Sequence, residues 1–375
     1  MTNTKLNDTG GHGGDLLEAL KRWQPVTGKF IDFSSNINPL GTPPGLIEHL
    51  VAVLPEIVAY PSPQARELRE KLAGYFNIST ERLVIGNGAN DLIHQLVNWI
   101  KPRRVLVPAP SFSEYERAAR YSGAAVNYYY LPPVKKLDLE KITAETEQGD
   151  LIIICNPNNP TGLLQPRAEL INLVEGAGKR GAVVMIDESF IQLTGRPQES
   201  MGDYSAGNLW IITSLTKNWG LPGLRLGCAA GPVDLVKQFT RWKDPWNVNS
   251  LAQVAGIYCC EAKEFIKDTI DLIKRERAYL LDAFQKTGRF KVFEGAANFL
   301  LMRCDSAGFK VAQFQEDLAR QGVLIRRADN FKGLDHRFLR IAVKNRCDNQ
   351  KLLEETDNWF SENLFSGKNG KGGFG

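Results

Sequence analysis

The middle of the chain alternates short, almost wholly apolar runs with longer amphipathic segments, and that alternation restricts the folds open to it. The runs are RVLVP (104–108), LIIIC (151–155), AVVMID (182–187), LWIITS (209–214) and LRLGCAAG (224–231). Each is ended by Pro, Gly or a polar residue. A run this short, with no polar alternation, fits a strand buried on both faces, as in a parallel sheet. Between the runs, NDLIHQLVNWI (90–100) and RAELINLVEGAGKR (167–180) repeat their apolar residues at helical spacing. Strand–helix alternation predicts an α/β fold with a mostly parallel sheet between helices.

After about residue 240 the pattern changes. RWKDPW breaks it at Pro245, and a helical region is expected from 250 to 286. Short strands come next at NFLLMR (298–303), VLIRR (323–327) and FLRIAV (338–343), with helices near 311–321 and 348–365. The expected division is an N-terminal arm (1–45) rich in Gly, Pro and Asn, a large domain (46–240), a smaller α+β domain (241–366) and a flexible Gly- and Lys-rich tail (367–375). A length of 375 residues suits one large and one smaller domain.

Composition removes several classes of function. The net charge of +4 is small and spread along the chain, which argues against nucleic-acid or membrane partners. No run of about 20 apolar residues occurs, and the first residues lack the apolar core of a signal peptide. The six cysteines lie mostly in apolar runs, and no pair has CxxC spacing. They are expected to be reduced, buried thiols in a cytoplasmic protein with no metal.

Ligands of open α/β sheets gather at the carboxyl ends of the strands. There the sequence places NPNNPTG (156–162), Asp187 in DES, SLTK (214–217) and GLPGLRLG (220–227), while GNGAND (86–91) opens a helix. Each element alone is modest. In this order they resemble the fold-type-I pyridoxal-5′-phosphate (PLP) enzymes of the aspartate-aminotransferase type, over nearly the whole chain. The resemblance implies that Lys217 holds the cofactor as a Schiff base, and that Asp187 keeps its pyridine nitrogen protonated. Asn159 would bond the phenolic oxygen, and Phe112 would stack on the ring. Gly88, Ala89 and Asn90 would offer a helix N-terminus to the cofactor phosphate, with Ser214, Thr216 and Arg225 around it. Tyr60 would reach the phosphate of a neighbouring subunit, which implies a homodimer with shared sites. One position departs: family members often carry Tyr three residues after the aspartate, and here it is Phe190.

Fold alone does not fix which bond such a cofactor helps to break. Arg340, in FLRIAV, matches the family's arginine for the substrate α-carboxylate. Four further segments, GHGGD (11–15), FSSNINPLGTPPG (33–45), DPWNVNSLA (244–252) and GVLIRRADNFKGLD (322–335), resemble the L-threonine-O-3-phosphate decarboxylases of cobalamin biosynthesis. Histidinol-phosphate aminotransferases are the near alternative. A phosphorylated substrate needs a second cationic pocket. His12, Asn38 and Arg326 are the candidates for it, with Arg327 as substitute if the strand register shifts. The resemblance implies PLP-dependent decarboxylation of L-threonine O-3-phosphate to (R)-1-amino-2-propanol O-2-phosphate.

Overall fold

The computed structural model describes residues 13–132 and 135–365. Its larger sheet has seven strands. In spatial order they are Leu83–Gly86, Gly227–Ala230, Leu209–Ser214, Val183–Asp187, Asp150–Cys155, Arg104–Ala109 and Ala125–Tyr130. Only Gly227–Ala230 runs antiparallel to its neighbours, so the sheet is mostly parallel. The interior strand Asp150–Cys155 is buried at every residue, which is why its sequence shows no alternation. Each fully buried Ile there contributes roughly 1.5–3 kcal/mol of transfer free energy. Ala125–Tyr130 lies at the sheet edge and is half solvated, so it shows no apolar run. Apolar clusters cover both faces of the sheet, one around Ile152 and Ile186, the other around Ile153 and Trp210. The chain thus has the architecture of PLP-dependent fold type I.

The helical region expected from 250 to 286 divides into Ser250–Cys260 and Lys263–Lys286. Asn249 caps the first of these by accepting the Ala252 N–H at 2.8 Å. Val248, Ala252, Ala255 and Cys259 join the large-domain core, although the sequence put them beyond the boundary near 240. The reason is close packing: a Cβ at Gly256 would sit 2.6 Å from a Leu68 methyl. The small domain comes next, with a four-stranded sheet in the order Arg326–Arg327, Phe338–Ala342, Phe299–Cys304 and Phe290–Phe293, all antiparallel. Its core is aromatic, with Phe284, Phe290, Phe314 and Phe360 packed together.

The described part of the expected arm packs on the small domain through residues 16–33 and then on the large one, where Asn38 bonds the Asn218 carbonyl. Helix Leu16–Trp23 starts at Asp15, whose carboxylate accepts the Glu18 N–H at 3.1 Å. Strand Ile31–Asp32 pairs in parallel with Val323–Leu324. Apolar side chains decide this: Phe33 is wholly buried in the aromatic core, and Ala19 packs on Ala319 and Leu324. The expected tail, 367–375, lies outside the described residues.

Candidate active site

The parallel strands end on one side of the sheet, and a cavity of about 270 Å³ opens there. Asp187 and Ser214 close their strands, and Lys217 stands one turn after Ser214, in the short helix Leu215–Asn218. Ala89, Asn90, Phe112, Asn159, Asp187, Ser214, Thr216, Lys217, Arg225, Arg326 and Arg340 all line this cavity. The structure therefore brings together most of the residues singled out in the sequence.

Glycines let the phosphate-side elements approach one another. Gly88 precedes helix Ala89–Ile100 with φ of 89°, and a Cβ there would lie 2.6 Å from Arg225 Nη2. A Cβ at Gly227 would lie 2.5 Å from the Ala89 nitrogen. The helix N-terminus, the Arg225 guanidinium and the bonded Ser214–Thr216 hydroxyl pair (2.9 Å) thus converge on one spot. Backbone N–H groups at a helix start, hydroxyls and a guanidinium form a fitting donor set for a phosphate dianion.

Asp187 is buried beside this spot. Its Oδ1 accepts the Ser189 N–H at 2.9 Å and the Ser189 hydroxyl at 2.5 Å, and its Oδ2 accepts the Tyr115 hydroxyl at 2.7 Å. Burial raises its pKa, and the Ser189 and Tyr115 hydrogen bonds oppose that rise. Lys217 is pushed down to about 8, first by burial and then by Arg340 and Arg225, with Asp32 and Asp187 working the other way. A lysine near 8 holds a useful share of neutral amine at neutral pH.

The opposite side of the cavity comes from the small domain. Arg326 and Arg340 are direct cross-strand partners, so their side chains share one face of the sheet. Arg327, one residue on, takes the other face and pairs with Asp329. Arg340 donates to Asn159 Oδ1 at 2.6 Å and to the Ser34 carbonyl at 2.7 Å, and its guanidinium lies 5.3 Å from the Phe299 ring centroid. Burial, then the Arg326 charge, act against the Arg340 cation, and Asp32 supports it. Arg326 donates to Asn330 Oδ1 at 2.8 Å and packs on Phe331.

Among the described residues, Asn38 and Tyr60 do not line this cavity. Asn38 is buried, but its amide donates to the Asn218 carbonyl and to Thr269 Oγ1. Its oxygen accepts the Leu40 N–H, so the side chain ties the N-terminal segment to the end of helix Leu215–Asn218 and to helix Lys263–Lys286. Tyr60 is 88% exposed and touches only the Trp246 ring among the aromatic contacts described. His12 lies outside the described residues. The sequence reading missed Tyr115, Ser189, Ser34, Ser35 and Asn330, all of which line the cavity. Tyr115, three residues after Phe112 in PSFSEY, was the most accessible signal: a wholly buried tyrosine needs a partner for its hydroxyl.

A family model for class I and II aminotransferases matches residues 28–355. The chain belongs to that family. It is 32% identical to the threonine-phosphate decarboxylase of Salmonella typhimurium, over 91% of this chain and 94% of that protein. Among solved structures, the histidinol-phosphate aminotransferase of Clostridium acetobutylicum superposes with a TM-score of 0.82 at 30% identity, covering 88% of this chain and 99% of that one. The L-threonine-O-3-phosphate decarboxylase of Porphyromonas gingivalis gives 0.77 at 27% identity, with the same coverage. The family is PLP-dependent, and the residues present fit that cofactor. The cavity holds a buried lysine with a lowered pKa, a buried carboxylate and a cradle that a side chain at Gly88 would fill.

Proposed function

We propose that this chain decarboxylates L-threonine O-3-phosphate to (R)-1-amino-2-propanol O-2-phosphate, a step of cobalamin biosynthesis. The carrying observation is the cross-strand pair of Arg326 and Arg340 on one face of the cavity, within reach of the space around Lys217. Two guanidiniums side by side suit a substrate with a carboxylate at one end and a phosphate at the other. The names of the Salmonella and Porphyromonas relatives support the same substrate.

Each residue then has a role. Lys217 would hold the cofactor and, freed as its protonated amine, would deliver one proton to the substrate Cα after CO₂ leaves, ending as the neutral amine. Asp187 would keep a proton on the ring nitrogen, and Asn159 would donate to the phenolic oxygen. Phe112 would pack against the ring. Gly88, Ala89, Asn90, Ser214, Thr216 and Arg225 would hold the cofactor phosphate. Arg340 orients the α-carboxylate, and Arg326 takes the substrate phosphate. Bound PLP supplies an electron-accepting ring for the pair left when the Cα–carboxylate bond breaks. Tight ground-state binding of a carboxylate that leaves as neutral CO₂ would oppose the reaction, so Arg340 acts by fixing that bond's direction.

The likeness to the Clostridium aminotransferase favours one second reading, transamination of histidinol phosphate. Histidinol phosphate has no carboxylate, so it would use Arg326 alone. Purified enzyme incubated with O-phospho-L-threonine separates the two. Decarboxylation releases CO₂ and leaves the cofactor in its aldehyde form. Transamination converts the cofactor to pyridoxamine phosphate and releases no CO₂.

The enzyme acts as a homodimer in this reading. Tyr60, Trp246, Ile57 and Val58 are exposed apolar groups near one another in sequence or contact, and Val58 is 93% exposed. A second copy that covers them would bring Tyr60 toward its partner's cofactor phosphate. Mixing inactive Lys217→Ala with weak Tyr60→Ala should restore activity in heterodimers, and a fully active monomer in sedimentation would refute the dimer. No described helix is long and apolar enough to cross a membrane, and the six cysteines are free thiols, five of them buried. A reducing, cytoplasmic setting suits that chemistry.

A further inference from the structure

We propose that Asp32 is a positioning residue that fixes Arg340 and the Ser34–Ser35 turn as a single wall of the substrate cavity and supplies the counter-charge to the cations gathered there. The role of Arg340 toward the substrate carboxylate rests on the decarboxylase reading.

The backbone around Asp32 is held from two sides. Ile31 and Asp32 pair with Val323 and Leu324, just ahead of Arg326. The Phe33 N–H donates to the Leu324 carbonyl at 2.8 Å, and the Ala342 N–H donates to the Phe33 carbonyl at 2.9 Å, just past Arg340. The Asp32 carboxylate then organises the Ser34–Ser35 turn. Its Oδ1 accepts the Ser34 N–H at 2.8 Å and the Ser34 hydroxyl at 2.6 Å, and its Oδ2 accepts the Ser35 hydroxyl. With its proton committed to Asp32, the Ser34 hydroxyl accepts the Gly14 N–H at 2.9 Å. The Ser34 carbonyl, aimed by the same turn, accepts from Arg340 Nη2 at 2.7 Å. Ser34, Ser35 and Arg340 line the cavity, and Asp32 stands behind them.

Charge points the same way. Lys217, Arg225, Arg326 and Arg340 face one cavity, and the carboxylates in its lining are Asp187, bonded to Ser189 and Tyr115, and Glu114, paired with His94 and Arg117. Asp32 stabilises the charged forms of both Lys217 and Arg340, against burial and against the other cations. An acceptor-only group is needed: an asparagine in its place keeps one oxygen, so the Ser34 donors or the Ser35 hydroxyl must lose their partner.

The test compares holoenzyme of wild type, Asp32→Asn and Ser34→Ala by two measurements. The first is the pH at which cofactor absorbance changes, without substrate. Loss of a nearby anion disfavours the protonated, cationic form at Lys217, so Asp32→Asn moves that pH down by about 0.5–1 unit. Ser34→Ala leaves it in place, because the carboxylate remains. The second is steady-state turnover of O-phospho-L-threonine. Both variants should raise KM by about tenfold with little change in kcat, the cost of one lost charge-assisted hydrogen bond in the wall. A folded Asp32→Asn holoenzyme with the wild-type titration and KM would overturn the proposal. If Asp32→Asn does not fold, an unchanged KM in Ser34→Ala overturns it instead. The titration needs no substrate, so a wild-type enzyme inert to phosphothreonine would sink the functional reading and leave the Asp32 result standing.

Discussion

The two sides of the cavity are built differently. The cofactor side comes from strand ends in one parallel sheet and from the glycine turns beside them, and each residue sits inside its own local motif. The substrate side comes from two antiparallel strands and from a distant turn near the start of the chain: Arg340 bonds the Ser34 carbonyl across 306 positions. The first side is set mainly by strand ends and short turns, with Tyr115 and Arg340 reaching Asp187 and Asn159 from farther along the chain. The second depends on long-range polar ties and on one strand register. The contrast predicts that damage to the first side abolishes chemistry, and damage to the second changes which substrate is used.

The largest effect should come from removing the covalent anchor. Lys217→Ala should lower turnover by about 10⁴-fold, the upper range for a lost acid–base group, read as the rate of CO₂ release. Borohydride reduction of wild type should fix cofactor mass on the peptide containing Lys217; mass on another lysine would break the assignment of this side.

A smaller loss should come from Tyr115→Phe. It removes one donor to the Asp187 carboxylate and leaves the fold's shape. A hydrogen bond to a charged group contributes about 1.5–3 kcal/mol. The expected result is a fall in kcat of at least about tenfold with KM held, together with a changed absorbance spectrum. An unchanged spectrum and kcat would place Tyr115 in packing alone.

The smallest effect concerns stability without cofactor. Lys217 has a folded-state pKa of about 8 against an ordinary value of 10.5. A lowered lysine means that the folded protein binds fewer protons than the unfolded one between those values, so stability rises with pH across that window. Below about 8 the buried charge costs the apo fold roughly 3 kcal/mol at most. Apo Lys217→Met should therefore unfold at a higher temperature than apo wild type at pH 7, and the difference should close toward pH 10.5. A difference that stays constant with pH would mean the lysine is not strained by burial.

Legibility in the sequence divides along the same line. The central strands were legible because burial on both faces makes their runs continuous, as in LIIIC. Asp187, Ser214 and Lys217 stood at the ends of those runs, where a ligand would be sought. The edge strand Ala125–Tyr130 gave no such signal, because half its residues face water. The break between Ser250–Cys260 and Lys263–Lys286 carries no Pro or Gly, so the periodicity ran through it. On the substrate side, Arg326 and Arg327 could not be separated until pairing with Arg340 fixed the register. Asn38 looked available as a polar residue in an unusual segment, yet its amide is spent on Asn218 and Thr269. Asp32 and Tyr115 act through other residues, and only contacts between distant segments show them.

The central claim is that the Arg326 side reads the substrate phosphate while the Lys217 side performs the chemistry. The most direct measurement is kcat/KM for O-phospho-L-threonine and for L-threonine, in wild type and in Arg326→Leu, with the cofactor spectrum recorded for each. The account predicts a loss of about one to two orders of magnitude on the phosphorylated substrate, almost none on threonine, and an unaltered spectrum. Equal losses on both substrates would contradict it, because Arg326 would then be supporting the fold rather than reading the phosphate.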